Sequence, residues 1–587
     1  MKQVIKPLLI LSAIFSMGCN TMLAQVNNIQ TFAKLYGYVR WFYPGDEASK
    51  INWDKFAVYG VQNVEKAKDE KELKQILLDL FKPIAPALQI YESSIFCNFD
   101  TKFIIPQDTT GLKPVSWIHF GVELNTNNNK NLPPYDFYKS YRINKDSIKN
   151  DFTYATPKIG DHIKKNIGSN LSCLMPITLY GNKVATYPPS SPQLFEQLNT
   201  QINNLQDSVF DIQNKAVQLA NIIIAWNVIQ HFYPYFDVVN TDWEQELLST
   251  IQNVYSAKNE AEYFKTVSIM MAHLNDGHCI VSSDNIKRWG LPFTVDFIEN
   301  KIVITESMFP DYIVGDIVKS IDGKLAIDEL LYQESLLSGS PQLKRYRGLN
   351  MFSADFDRSN AVIKVIRNGE EKELQCRRYS QYNIFRNPNR KLSSLPNLID
   401  SGNSIIYLHG YSQNFNTLLP LIKEAKGLIV GEGFNLEWDL IPHIIKEPLW
   451  STKWNVPITA RPDRDSTTFH IERWQFKPKE PFINAKVVFI NNPGRVSSGE
   501  TIMGFIDHYK LAKTVGDTTA GTNGDINIIQ LMGGYSIKWT GLRVLKHDGS
   551  QFQLIGFRPD YTVNRTIRAV KEGRDEYLEK AIEICKQ

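Results

Sequence analysis

The chain repeats itself, and the repeat limits what it can fold into more than any other feature. Residues 38–73, YVRWFYPGDEASKINWDKFAVYGVQNVEKAKDEKEL, lie over residues 226–263, WNVIQHFYPYFDVVNTDWEQELLSTIQNVYSAKNEAEY. At one constant offset Phe42-Tyr43-Pro44 falls on Phe232-Tyr233-Pro234, Trp53 on Trp243, and Gln62-Asn63-Val64 on Gln252-Asn253-Val254. Both copies space apolar residues helically and break at Tyr-Pro, where proline has no amide to continue a helix. A duplicated helical module is expected, with the chain between the copies inserted between two like units.

The copies part at one chemically useful residue. Copy two runs on into MMAHLNDGHCIV and copy one into LFKPIAPALQIY, so the same offset sets Leu88 opposite His278. A residue needed only to fold the module is wanted in both copies, which makes His278 a candidate for function. The plain alternative is a hydrogen-bonded turn histidine after Asp276-Gly277.

The remaining chain divides by pattern into a multidomain α/β protein. Residues 1–25 have a basic start, an apolar centre too short for an ordinary membrane span, and small residues near the end, as in an export signal. Cleavage near Ala24 or lipidation of Cys19 would follow, and the membrane is a partner only through that lipid. Residues 26–95 hold the first module and 191–285 the second, which carries His278. Between them, residues 96–190 alternate apolar and polar in short runs such as SWIHFGVEL and read as a β-rich accessory domain, with His119 a packed histidine. Residues 286–380 order strand, Gly-Asp turn, strand, Asp-Gly turn and helix, and GDIVKSIDGK resembles the middle of a PDZ domain. Residues 395–587 alternate strands with helices, the mark of an α/β layer domain.

The composition narrows the partners. With 65 basic against 62 acidic residues the net charge is +3, which gives no electrostatic footprint for nucleic acid. The six cysteines show no metal-ligand spacing, and GDTTAGTNG (516–524) lacks the lysine and spacing of a phosphate loop.

In the last region NNPGRVSSGE (491–500) follows the apolar run AKVVFI and precedes TIMGFIDHYK, as strand, sharp loop and helix start. Ser497 and Glu500 have the Ser-x-x-Glu spacing of a capping box, so Ser497 is either a helix cap or a nucleophile. A serine hydroxyl attacks only when a base removes its proton, and neutral imidazole suits that task.

LNDGHC ahead of a PDZ-like unit, then KGLIV, VVFINNPGRVSSGE, TVGDTTAGTNG, GFRPDYTV and GRDEYLEKAIEI, resemble in this order the tail-specific, or C-terminal-processing, serine peptidases over residues 215–587. The resemblance implies a crotonase-like β/α superhelix as the core. It also implies a serine acyl-enzyme acting on unfolded or C-terminally exposed protein segments, without metal or cofactor. One branch of that family places a lysine where Thr522 stands here, and the other, which includes the tricorn core, uses a histidine at the position of His278. The histidine branch is the better match, with Ser497 as nucleophile and His278 as base. The helix start implies the Ser498 N–H as one oxyanion donor. GLIVGEGFN (427–435) replaces the family's Asp-x-Arg-Gly-Asn loop and leaves Gly431 or Gly433 as the second donor. The histidine's orienting residue falls near Gln553, with Asp525, Asp548 and Asp560 as substitutes.

Retention of Ser497 and His278 favours hydrolysis, whereas the altered loop favours a weak or inactive relative that binds peptides or apolar ligands. A carbohydrate-active surface protein ranks last, for want of paired carboxylates.

Overall fold

The computed structural model describes residues 5–121, 139–146, 155–380, 397–400, 404–408, 414–431 and 434–587. Helix α1 (Ile5–Phe42) starts inside the segment read as an export signal and runs unbroken into the first copy of the repeat, stopping before Tyr43-Pro44. Helices α2 (Trp53–Val64) and α3 (Glu70–Phe81) complete that copy, and α4 (Lys215–Phe232), α5 (Trp243–Ser256) and α6 (Glu260–Ala272) form the second. The start signals repeat with the helices: Asn52 caps α2 as Asp242 caps α5, and Asp69 caps α3 as Asn259 caps α6. The copies pack closely, because Asn227 Nδ2 donates to the Ala33 carbonyl across them at 2.9 Å and a Cβ on Gly37 would lie 1.7 Å from Asn227 Oδ1. Phe32, Tyr36, Phe56 and Phe81 fill the first copy's interior.

The stretch between the copies is rich in strands, but they do not close on themselves. Strand β1 (Lys113–Phe120) pairs His119 with Thr459 and Phe120 with Ile458 of a strand more than three hundred residues later. His119 is buried with Nδ1 on Ser140 Oγ at 2.8 Å and Nε2 on the Trp41 carbonyl at 2.7 Å.

After His278 the chain forms β2 (Ile280–Ser283) and then an antiparallel unit, β3 (Phe293–Ile298), β4 (Lys301–Ser307), β5 (Ile317–Ile321), β6 (Asn360–Arg367) and β7 (Glu370–Arg377), hydrogen-bonded in that order. Helices α7 (Ala326–Ser335) and α8 (Pro341–Asn350) fill the long connection between β5 and β6.

The last region is a six-stranded sheet in the order β8 (Asn397–Asp400), β9 (Ile405–Leu408), β10 (Gly427–Val430), β12 (Lys486–Asn491), β13 (Lys513–Gly516), β16 (Tyr561–Thr562). All its pairs are parallel except β8 with β9. In β12, Val487 and Phe489 pack toward α9 (Phe434–Ile444) and α10 (Ser498–Tyr509), while Val488 and Ile490 pack toward α11 (Glu576–Lys586). An apolar run buried on both faces is what a parallel strand between two helical layers requires. Strand β11 (Trp454–Thr459) is the partner of β1.

One pairing fixes the site. Strands β14 (Ile526–Leu531) and β15 (Tyr535–Thr540) form a hairpin, and β2 adds to the outer edge of β15 with Ile280 opposite Lys538. That register carries His278, two residues before Ile280, to Thr540, two after Lys538. Among the described residues no helix is long and apolar enough to cross a membrane. Cys97, Cys173, Cys279, Cys376 and Cys585 are free thiols.

Candidate active site

Strand β12 ends in the interior of the parallel sheet and delivers the loop Asn492–Ser497 to the start of α10. Ser497 adopts φ 56° and ψ −116°, a conformation that costs a residue with a Cβ about 1–3 kcal/mol and that the surrounding structure must impose. Its amide donates to the Thr522 carbonyl at 2.8 Å, and its own carbonyl accepts the first helical bond from Thr501 at 2.9 Å. Its hydroxyl makes no capping bond. The capping box expected from the spacing is therefore not formed, and the torsion at Ser497 lies outside the extended region that a capping residue adopts.

Glu500 also departs from the capping expectation. Fully buried, it accepts from Thr519 Oγ1 at 2.5 Å and from the Gly521 and Thr522 amides at 2.7 Å each. Burial pushes its carboxyl up to about 8 against the pull of those donors. It clamps the Thr519–Thr522 turn against α10 rather than closing the helix start.

Thr522 joins the two halves of the site. While its carbonyl holds Ser497, its Oγ1 accepts the Gly277 amide at 3.1 Å. A Cβ on Gly277 would lie 2.4 Å from that oxygen, so residue 277 must lack a side chain while threonine stands at 522.

His278 lies buried beside this junction. Its Nδ1 is 2.9 Å from Thr540 Oγ1, which in turn is 2.6 Å from Asp276 Oδ1. The backbone amides of His278 and Thr540 donate to the same carboxylate at 3.0 and 2.7 Å. An ionised carboxylate only accepts, so the threonine hydroxyl gives its single proton to Asp276 and accepts from His278 Nδ1–H. That bookkeeping fixes the tautomer and leaves Nε2 as the bare lone pair. Nε2 has no hydrogen-bond partner, so the Ser497 hydroxyl is not bonded to it. Burial, helped by the charge of Arg347, pulls the imidazole down to about 3, and burial raises Asp276.

The oxyanion donors read from sequence stand differently. The Ser498 N–H makes no hydrogen bond among the described residues, and the Ser498 hydroxyl is held by Trp438 Nε1 at 2.5 Å. The Gly431 amide is spent on the Leu408 carbonyl at 2.8 Å, which removes it as a donor, and Gly433 lies outside the described residues. Below the loop, Arg495 and Glu437 form a buried ion pair at 2.5 Å, and Arg495 also donates to the Ile490 carbonyl at 3.0 Å.

Gln553 does not orient the histidine. It is fully buried, its side-chain amide has no hydrogen-bond partner, and the position on Nδ1 is taken by Thr540. Two of the other acids are engaged elsewhere, Asp560 with Thr514 at 2.8 and 2.9 Å and Asp548 in an exposed turn with Ser550. Sequence reasoning had Asp276 in view only as part of LNDGHC. It missed Thr540 altogether, because nothing local to YSIKWT marks that threonine.

No curated protein matches this chain. Residues 445–563 match Peptidase family S41, a stretch that includes Ser497, Glu500, Thr522 and Thr540 but not Asp276 or His278. Among solved structures, mature CPAF is similar with a TM-score of 0.53 at 13% identity, over 63% of this chain and 97% of that one. Mature CPAF complexed with lactacystin gives a TM-score of 0.52 at 14% identity, over 63% of this chain and 98% of that one. At such identity the likeness is one of fold.

Proposed function

We propose that this chain, a serine-type peptidase by its matched segment, hydrolyses peptide bonds of unfolded or C-terminally exposed polypeptides through an acyl-enzyme on Ser497. The observation that carries the reading is the strained Ser497, whose hydroxyl is withheld from capping while Thr522 ties its backbone to the loop of a histidine in the base tautomer.

In this reading the Ser497 hydroxyl proton passes to His278 Nε2 as the oxygen attacks the substrate carbonyl. The imidazolium is held by Thr540, which relays its charge to Asp276, and the developing oxyanion meets the Ser498 N–H at the head of α10. His278 then returns the proton to the leaving amine, and water repeats the sequence on the ester. Thr540 and Asp276 are positioning residues, since they act through the imidazole. The core is read as crotonase-like and the β3–β7 unit as PDZ-like. Residues 1–25 are read as an export signal to the periplasm or outside, with Cys19 the one route to a membrane.

One observation favours a second reading, a weak or inactive member that binds peptides or apolar ligands: Nε2 is buried and not bonded to the serine. Catalytic bonds are often long before substrate arrives, and substrate-driven closure is what the first reading requires. The test is incubation of the full chain with a reduced, carboxymethylated protein as unfolded probe, read by mass spectrometry beside Ser497→Ala. New termini that vanish in the variant are expected, and an intact probe in both supports the binding protein.

A further inference from the structure

A cavity of about 560 Å³ opens directly downstream of His278, between α6, α8 and strand β2. Three features of it belong together. Its wall along Cys279–Ser283 is a sheet edge, because β2 pairs with β15 on one side and among the described residues with no strand on the other. Its floor is apolar, with Phe264, Met271 and Ala272. Its charge is of one sign: Lys287, Arg288 and Arg347 line it, and no Asp or Glu does.

The two arginines stand out because they are half-buried and neither guanidinium forms an ion pair or a hydrogen bond among the described residues, the charge of Arg347 being met only at longer range by the buried Asp276. Arg288 is held over the rings of Phe264 and Phe356, 5.3 and 5.4 Å from their centroids. Taking a guanidinium partly out of water without a partner is unfavourable, and an incoming carboxylate removes that cost by a two-pronged hydrogen bond. An open strand edge supplies backbone donors and acceptors at the spacing of an extended peptide.

We propose that the cavity binds the substrate as an added strand on the free edge of β2, with a carboxylate of that peptide received by Arg347 and Arg288. The inference rests on the peptidase reading and names its specificity: an anionic group on the peptide, held in a cavity whose wall begins one residue after His278. The carboxylate comes either from the chain end or from an acidic side chain. Occupancy also acts on the base, because the charge of Arg347 is one of the two causes holding His278 down, and a carboxylate on that arginine offsets it.

The experiment uses the full chain carrying Ser497→Ala and three short fluorescent peptides of one neutral sequence, read by anisotropy. One peptide has a free C-terminal carboxylate, one is amidated, and one is amidated with an internal glutamate. At least one carboxylate peptide is expected to bind about tenfold more tightly than the neutral one, which is about 1.4 kcal/mol. A preference for the first assigns the chain end and a preference for the third assigns an acidic side chain. Arg347→Gln and Arg288→Gln should each weaken the preference, with Arg347→Lys keeping part of it, in proteins whose circular dichroism is unchanged. Equal binding of all three peptides, no binding at millimolar concentration, or a preference that survives both glutamine substitutions together overturns the proposal. The comparison needs no catalysis: a charge preference without cleavage of the unfolded probe overturns the peptidase reading alone, and cleavage without a preference overturns this site alone.

Discussion

The two copies of the repeat run helix, turn and strand in the same order and with equivalent caps, yet end on opposite chemistry. In copy one Leu88 is fully buried in the apolar core, its amide on the Ala85 carbonyl. In copy two His278 occupies the same offset, its Nδ1–H on Thr540 Oγ1, while Asp276 accepts from the His278 amide, the Thr540 amide and the Thr540 hydroxyl. The scaffold supplies a rigid turn in both cases. What differs is the neighbour: the strand after His278 joins β15 and β14 in a three-stranded sheet, whereas the strand after Leu88, Gln89–Glu92, pairs with Leu171–Pro176 and stays in the accessory layer. Under the proposed function, duplication gives one copy to structure and frees the other for chemistry.

Exchanging the residue is the strongest way to break the comparison. His278→Leu makes copy two end as copy one does, and the rate of Ser497 acylation by a fluorophosphonate should fall by about 10³–10⁴-fold with the fold retained. Thr540→Val keeps the shape and removes the relay, so acylation should fall by about 10²-fold, with Thr540→Ser restoring most of it. A scaffold role for the hydroxyl would instead lower the melting temperature and leave the rate per folded molecule unchanged. Leu88→Ala should do the reverse of His278→Leu, costing about 2–5 kcal/mol in denaturant titrations while folded molecules acylate normally.

Acid separates the copies further. The unfolded chain takes a proton on residue 278 near 6.5 and the folded chain near 3, so this group withdraws stability as the pH falls through that window. His119, His231 and His547 are displaced in the same direction, so the readout is the difference between wild type and His278→Leu, whose stability should fall less steeply. The smallest effect concerns the residue that the family pattern pointed to. Gln553→Leu removes a buried amide without partners, and should raise stability by about 1 kcal/mol and leave acylation unchanged. A drop in acylation would return Gln553 to the site.

What the sequence made legible is what depends on neighbours along the chain. The run VVFI gives a strand, the Tyr-Pro breaks end helices, and the mismatch of Leu88 with His278 singles out the histidine. Illegible were features set by torsion or by pairing across the chain. Ser-x-x-Glu has the spacing of a cap whether or not it forms one, and the backbone at Ser497 decides against it. Thr540 is 262 residues from His278 and meets it only through the β2–β15 register. The accessory segment gave no hint that β1 would complete its sheet with β11.

The central claim is that His278 activates Ser497. It is tested most directly by labelling the folded chain with a fluorophosphonate and mapping the adduct by mass spectrometry, beside His278→Ala. An adduct on Ser497 that disappears in the variant is the predicted result. An unlabelled folded protein, or labelling indifferent to residue 278, would contradict it.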